Sequence, residues 1–402
     1  MHRPPSTISD VTVTAIPLFP TRTHIRVMIL SVLIVAVDAL PVFLLGAGAV
    51  TMGAEIGFGA TGLGYLTAAF FLAAAAVSSP IGRVIERIGW QRAMRINLVG
   101  TSIVLAVMSV AIRNMVSLAA LLVVAAGLYG FGNPAANQAL AQMVEPDRQG
   151  VVFGLKHAGI PTSTLLAGLA VPLIILRVGW RASFLAGAFI ALGVLALVPR
   201  RPPERSERSR SAERADPLLS PGRLRFLALA GVFATVAPSM LGTFTVVAAV
   251  DAGISEGAAG VLLSVGGFVT IVARVLNGAL ADRFRWRGFG LMSALMAAGA
   301  IAAYSLSVLT GSVYIVVVLC AFATAWGWPG LMTFSVVRAN AGSVASSSAV
   351  AQAGVFVGAG VFPIVIGTMA DGVSFSAAWL LVGTGLCLAS VSIAGLARQL
   401  PR

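Results

Sequence analysis

Four ionisable residues stand inside apolar stretches of this chain: Asp38, Lys156, His157 and Arg274. If those stretches cross a bilayer, each charge costs about 2.5–3.5 kcal/mol on insertion scales and needs a reason to be there. Lys156 is the only lysine in 402 residues, in a chain that otherwise uses arginine for positive charge. A lysine can exchange its proton and an arginine cannot. Three potentially cationic groups against one carboxylate favour an anionic solute. Arg274 can bind two oxygens of a carboxylate or similar anion at once. Asp38 is the first candidate to carry a coupling proton, and His157 the second, because imidazole titrates near neutrality. The alternative for Asp38 is an ion pair with Lys156 or Arg274 that carries no proton.

Amides and indoles accompany these charges. At about 1.5 Å of rise per residue, Lys156, Arg274, Asn133, Trp328 and Gln352 fall near one level, with Asp38 close to mid-membrane. Asn137, Gln138 and Trp326 add polar and aromatic surface nearby. Taken singly, an amide in a helix bundle more often ties helices together than binds a ligand.

A second kind of chemistry sits between apolar runs. Gly82-Arg-Val-Ile-Glu86-Arg87-Ile-Gly89 and Gly278-Ala-Leu-Ala-Asp282-Arg283 both read as a glycine turn followed by a carboxylate and an arginine, 196 positions apart. A carboxylate there can meet the partial positive charge of a helix N-terminus, which suits a gate. The bland alternative is a pair of loop acids balancing local arginines. The spacing recurs: Gly132-Asn133-Pro134 answers to Gly327-Trp328-Pro329, and Ala158-Gly159 to Ala353-Gly354, each 195 positions on. A shared register of this kind implies a duplicated half-chain. It places Asn133 opposite Trp328 and His157 opposite Gln352, so equivalent points carry different groups and an asymmetric solute can be gripped. Prolines 41, 134, 161, 238, 329 and 363 interrupt the apolar runs, and the repeat singles out Pro134 and Pro329 as bending points.

The elements that must position these residues follow from composition. A mean hydropathy of +0.96 with 58% hydrophobic and 10% charged residues excludes a soluble domain. Runs of about 20 apolar residues fall at Val27–Val50, Thr61–Ile81, Met94–Ile112, Met115–Ala141, Val151–Ile175, Ser183–Pro199, Leu224–Val250, Ala258–Leu280, Phe289–Leu309, Val313–Val336, Val344–Thr368 and Ala377–Leu396, an all-α protein of twelve spans. Residues 200–223 form an arginine-, serine- and glutamate-rich linker between a six-helix bundle at 25–199 and a second at 224–396, with short tails at 1–24 and 397–402. The net charge of +13 resides mostly in alternate connections, among them Arg83, Arg87, Arg92, Arg95, Arg148, the linker, Arg283 and Arg338, against Arg113, Arg177 and Arg181 on the other side. The positive-inside rule then makes the linker and both termini cytoplasmic. No aromatic-interleaved basic surface suggests nucleic acid. Cys320 and Cys387 have no partner spacing for a metal or a disulfide framework. No cofactor is implied, because no phosphate-binding Gly-Lys turn, metal-ligand pair or nucleophile triad is visible.

The spans, the central linker and the repeated Gly-x-x-x-acid-Arg turn resemble the major facilitator superfamily over the whole chain from about Val27 to Leu396. Gly82, Arg87, Gly89 and Arg92 match the family's turn between helices two and three, with Glu86 where aspartate is usual. In the second copy Asp282 and Arg283 fit, and Arg285 stands where a second glycine would be. The resemblance implies a secondary transporter, not an enzyme or a channel, working by alternating access as a monomer in a bacterial inner membrane. It implies a gate of Gly82, Glu86, Arg87, Gly89, Arg92, Gly278, Asp282 and Arg283, with Glu86 facing the start of helix eleven near Ser346 and Asp282 the start of helix five near Gly150. It implies a central substrate site drawn from Arg274, Lys156, His157, Asn133, Trp328 and Gln352. Arg274 is similar in position to the substrate arginine of monocarboxylate carriers, which suggests a proton-coupled permease or symporter for organic or inorganic anions. The alternative is proton-driven drug efflux, against which Gly159-Ile-Pro161-Thr-Ser163 departs from the Gly-Pro and paired-glycine pattern usual in helix five of efflux members.

Overall fold

A computed structural model describes residues 22–143, 155–199, 219–283, 288–340 and 344–399, and among these it holds helices and no strand. The first half comprises α1 (Arg22–Ala47), a short α2 (Ala49–Ile56), α3 (Ala60–Ile88), α4 (Trp90–Ala111), α5 (Met115–Met143), α6 (Gly159–Ala170) and α7 (Trp180–Leu195). The second comprises α8 (Pro221–Ala234), α9 (Thr245–Asp251), α10 (Glu256–Arg283), α11 (Gly288–Leu306), α12 (Gly311–Thr324), α13 (Pro329–Ala339), α14 (Val344–Gly372) and α15 (Phe375–Arg398). Among the described residues eleven stretches are long and apolar enough to cross a membrane, and α7 is a shorter apolar helix, which completes twelve. Gly159–Val178, Pro221–Asp251 and Gly311–Val336 each cross as one span built from more than one helical piece.

Most of these bounds agree with the apolar runs to within a few residues; the start of the fifth run, 151–154, lies outside the described residues, and the end of the second differs informatively. Gly82 is not a turn: α3 continues past it to Ile88, and the chain reverses at Gly89, whose φ of 81° is strained for any residue with a Cβ. Gly278 likewise lies inside α10. A glycine with helix formers on both sides costs only about 1 kcal/mol in a helix, which is too little to end one. The acid-Arg pairs thus ride on the last turns of long helices.

Lipid offers little hydrophobic drive for helix association, so small residues and polar contacts decide which helices meet. Within each half, α4 packs on α7 and α11 on α15, away from the central interface. The halves meet most extensively at α3 with α14 and α6 with α10, and also where α1 meets the π turn Met240–Phe244 and α9, and α2 meets α9. The face that carries Pro199 and Leu219 is here called the linker face, and the opposite one the far face. On the linker face Arg95 donates to the carbonyl of Pro199 at 2.7 Å and Arg26 to that of Leu197 at 2.9 Å. Arginines there serve as C-caps for the last carbonyls after α7. Across the linker, Asn340 holds both main-chain groups of Leu219, at 2.9 and 3.2 Å, and bonds Ser347 at 2.8 Å. On the far face Glu55 accepts from the Trp180 indole and from Arg181, both at 2.6 Å, which ties α2 to α7. The Arg181 and Trp180 hydrogen bonds hold its carboxyl below the ordinary range.

Candidate functional site

Two proline breaks build the centre. Before α6 the chain turns at His157 and Ala158, and the residue four beyond His157 is Pro161, which has no N–H to give it. The freed carbonyl of His157 accepts a hydrogen bond from Arg274 Nη1, on α10 of the other half. Between α12 and α13 the helix breaks at Ala325–Trp328, ahead of Pro329. The first acceptor of α13 is Trp328, from Met332 N at 3.2 Å. The carbonyl of Trp326 is therefore open to Arg274 Nη2 at 3.2 Å, and that of Gly327 to Asn277 Nδ2 at 3.4 Å. Arg274 is 7% exposed, and its Nε has no partner among the described residues.

Lys156 is 3% exposed. Its Nζ donates to Asn133 Oδ1 at 2.6 Å and to Asn137 Oδ1 at 2.5 Å. Residues 133 and 137 share one face of α5, four positions apart, so the unbroken helix delivers both oxygens to one ammonium. The lysine has neutral dipoles around it and the arginine has carbonyls. Among the described residues the one ion pair is Arg181 with Glu55, remote from both.

Asp38 is placed apart from these cations. It is 1% exposed, and neither carboxyl oxygen is in hydrogen-bonding geometry with a partner among the described residues. Asn97, Thr101 and Tyr129 adjoin it, and the Asn97 amide also donates to the carbonyl of Leu128 at 2.6 Å. Gly132 makes room on α5, since a Cβ there would collide with the carboxyl. In this structure Asp38 makes no ion pair with Lys156 or Arg274. Asp38 points into the first bundle, toward α4 and α5, and not across to the second.

The remaining predicted residues divide. His157 joins the centre through its carbonyl. Trp328 is fully buried with its indole N–H unpartnered among the described residues, and Gln352 is half-buried on α14. Pro134 lies within continuous α5, so only Pro329 of the symmetric pair breaks its span. Of the gate set, Glu86, Arg87 and Arg92 are exposed on the linker face and Gly89 forms the turn. Gly82 and Gly278 are helical, while the side chains of Asp282, Arg283 and Ser346, together with Gly150, lie outside the described residues. Asn277, Asn97 and Thr101 went unremarked in the sequence. The signal for Asn277 was its place three residues after Arg274, on the same helix face.

Comparison with known proteins fits this architecture. The family model described as Major Facilitator Superfamily matches residues 31–347. No curated protein matches the chain. Among solved structures it is similar to a bacterial homologue of the human lysosomal transporter Spinster in an inward-facing, unoccupied conformation, at 15% identity and TM-score 0.68, covering 95% of this chain and 97% of that one. It is also similar to a D-xylose-proton symporter, at 15% identity and TM-score 0.73, covering 92% and 97%. At these identities the likeness is one of fold.

Proposed function

Since this chain belongs to the major facilitator superfamily and is a multi-pass membrane transporter, we propose that it carries a small anion by secondary active transport, coupled to protons. The observation that carries the reading is the partnering of the buried cations. Among the described residues Arg274 meets only carbonyls and Lys156 only amide oxygens, with no carboxylate for either. Buried charges are costly unless paired, and an anionic solute is the counter-ion that these two lack. The free Nε and the fork of Arg274 suit a carboxylate or an oxyanion.

The same contacts supply a cycle. In this state Arg274 bridges the two halves by holding the His157 carbonyl of one and the Trp326 carbonyl of the other. A bound anion competes for the guanidinium, releases one carbonyl or both, and so loosens the halves as it binds. Differential affinity of this kind is what lets a solute shift a conformational equilibrium. Asp38, buried and with no cation paired to it among the described residues, is the group on which a proton rides. One protein of similar fold is a D-xylose-proton symporter, which supports proton coupling. The arginine-rich linker face is cytoplasmic in this reading, the membrane is a bacterial inner membrane, and the monomer is the working unit.

Uptake into proteoliposomes under an imposed pH gradient tests it. The expected result is accumulation of at least one small carboxylate or inorganic anion, abolished in Arg274→Ala although that variant remains folded. Undiminished uptake in Arg274→Ala, or accumulation of lipophilic cations alone, contradicts it.

A further inference from the structure

Helix α3 begins without a cap of its own. Its N-cap residue is Gly59, which offers no side chain to the orphan N–H groups of the first turn. Those groups are satisfied from the other half of the molecule. Asp371, at the end of α14, accepts from Ala60 N at 3.1 Å through Oδ1 and from Thr61 N at 2.7 Å through Oδ2. Thr61 returns a hydrogen bond from its hydroxyl to the carbonyl of Gly367 at 3.3 Å. The backbones are close enough here that a Cβ at Gly64 would strike the Pro363 carbonyl, and one at Gly367 the carbonyl of Ala60.

For its own helix Asp371 is badly placed. A carboxylate in the last turn faces the negative end of the helix dipole, where a cation is favoured. What it stabilises is the positive end of α3, across the interface. We propose that Asp371 is a gating residue that closes the far face by capping α3 from the opposite half. Alternating access requires the halves to part on this face, and α3 with α14 is one of the helix pairs that hold them together. Parting transfers both N–H groups and the carboxylate to water. Asp371 is already exposed, so water can replace each bond and the contact works as a latch, not a permanent tie. Thr51 donates to Glu256 at 2.6 Å on the same face, again from one half to the other, and acts as a second and simpler catch.

The chemistry mirrors the role expected of Glu86 on the linker face, with the halves exchanged. There the family resemblance implies that an acid of the first half faces a helix start of the second. Here an acid of the second half caps a helix start of the first. Each face then closes by the same kind of bond, made by opposite partners.

Spin labels at Val178→Cys and Val308→Cys, exposed positions in far-face connections of the two halves, in a background with Cys320→Ala and Cys387→Ala, read the far-face separation in the full-length protein. This needs no substrate, so the result stands whichever solute is moved. The parent should give a short, narrow distance distribution. Asp371→Ala should add a longer component, with the open-to-closed ratio raised about fivefold, the typical effect of losing a helix cap. Asp371→Asn keeps one acceptor oxygen and should show a smaller shift in the same direction. If Asp371→Ala does not fold, Asp371→Asn decides. A distribution identical to the parent's in the folded variant overturns the proposal.

Discussion

The fourth span and the tenth carry the same Gly-x-Pro sequence 195 residues apart, yet α5 runs unbroken through Pro134 while the tenth span breaks before Pro329. Each proline removes one helix N–H and crowds the preceding turn. What differs is the neighbouring helix. In the second half α10 offers Arg274 and Asn277, whose donors take up the carbonyls of Trp326 and Gly327. The positions 196 residues earlier on α3 are Ser78 and Ile81, which bring no comparable fork of donors. The first half uses its helix in the opposite way. Asn133 and Asn137 must stay one turn apart to hold Lys156, and only an intact helix keeps them so. Duplication supplied a common backbone device, and the charged residue beside it decided whether the device became a break or a platform.

The largest effect should come from removing the cation at the break. Arg274→Ala should lower transport by at least about 100-fold, since a charge-assisted fork and the link between the halves go together. Arg274→Lys should fail nearly as badly, because one ammonium cannot reproduce the planar fork. Initial rates in proteoliposomes check both. If Arg274→Lys transports normally, the break is not read by the fork.

Next in size is the proton. Asp38→Asn should abolish accumulation driven by a pH gradient and leave counterflow exchange intact, because Asp38 touches neither Lys156 nor Arg274. Loss of exchange as well would place Asp38 in the solute site and erase the division between the two bundles.

Packing gives a middle-sized test within one helix. Gly132→Ala should destabilise the protein by roughly 1–3 kcal/mol, the usual range for overpacking, since its Cβ meets the Asp38 carboxyl. Gly127→Ala, with nothing within 4 Å of the added carbon, should be neutral or stabilising by up to about 1 kcal/mol. Thermal unfolding in detergent compares them. The smallest effect belongs to Asn277→Ala, which leaves the Gly327 carbonyl without its donor. It should cost about 0.5–1.5 kcal/mol and slow transport a few-fold.

The spans, the duplication and the two central cations were legible in the sequence because hydropathy, register and the rarity of intramembrane charge are properties of the chain alone. The direction in which Asp38 points was not. Facing is set by helix rotation, and the small residue that admits the carboxyl, Gly132, lies more than 90 residues away. The glycine-acid motif misled at Gly82, since a lone glycine does not stop a helix that tertiary contacts extend. Asp371 escaped notice for a related reason. Its partners are main-chain N–H groups, which no side-chain pattern announces.

The central claim, that Arg274 and Lys156 await an anion, is tested most directly by thermal unfolding of the purified protein. Small carboxylates and inorganic anions would be compared with lipophilic cations, in the parent and in Arg274→Ala. A solute that binds only the folded state stabilises it by about 2.7 kcal/mol at 100 times its dissociation constant. The account predicts stabilisation by at least one anion, lost in Arg274→Ala. Stabilisation by lipophilic cations alone, or by an anion equally in both proteins, would contradict it.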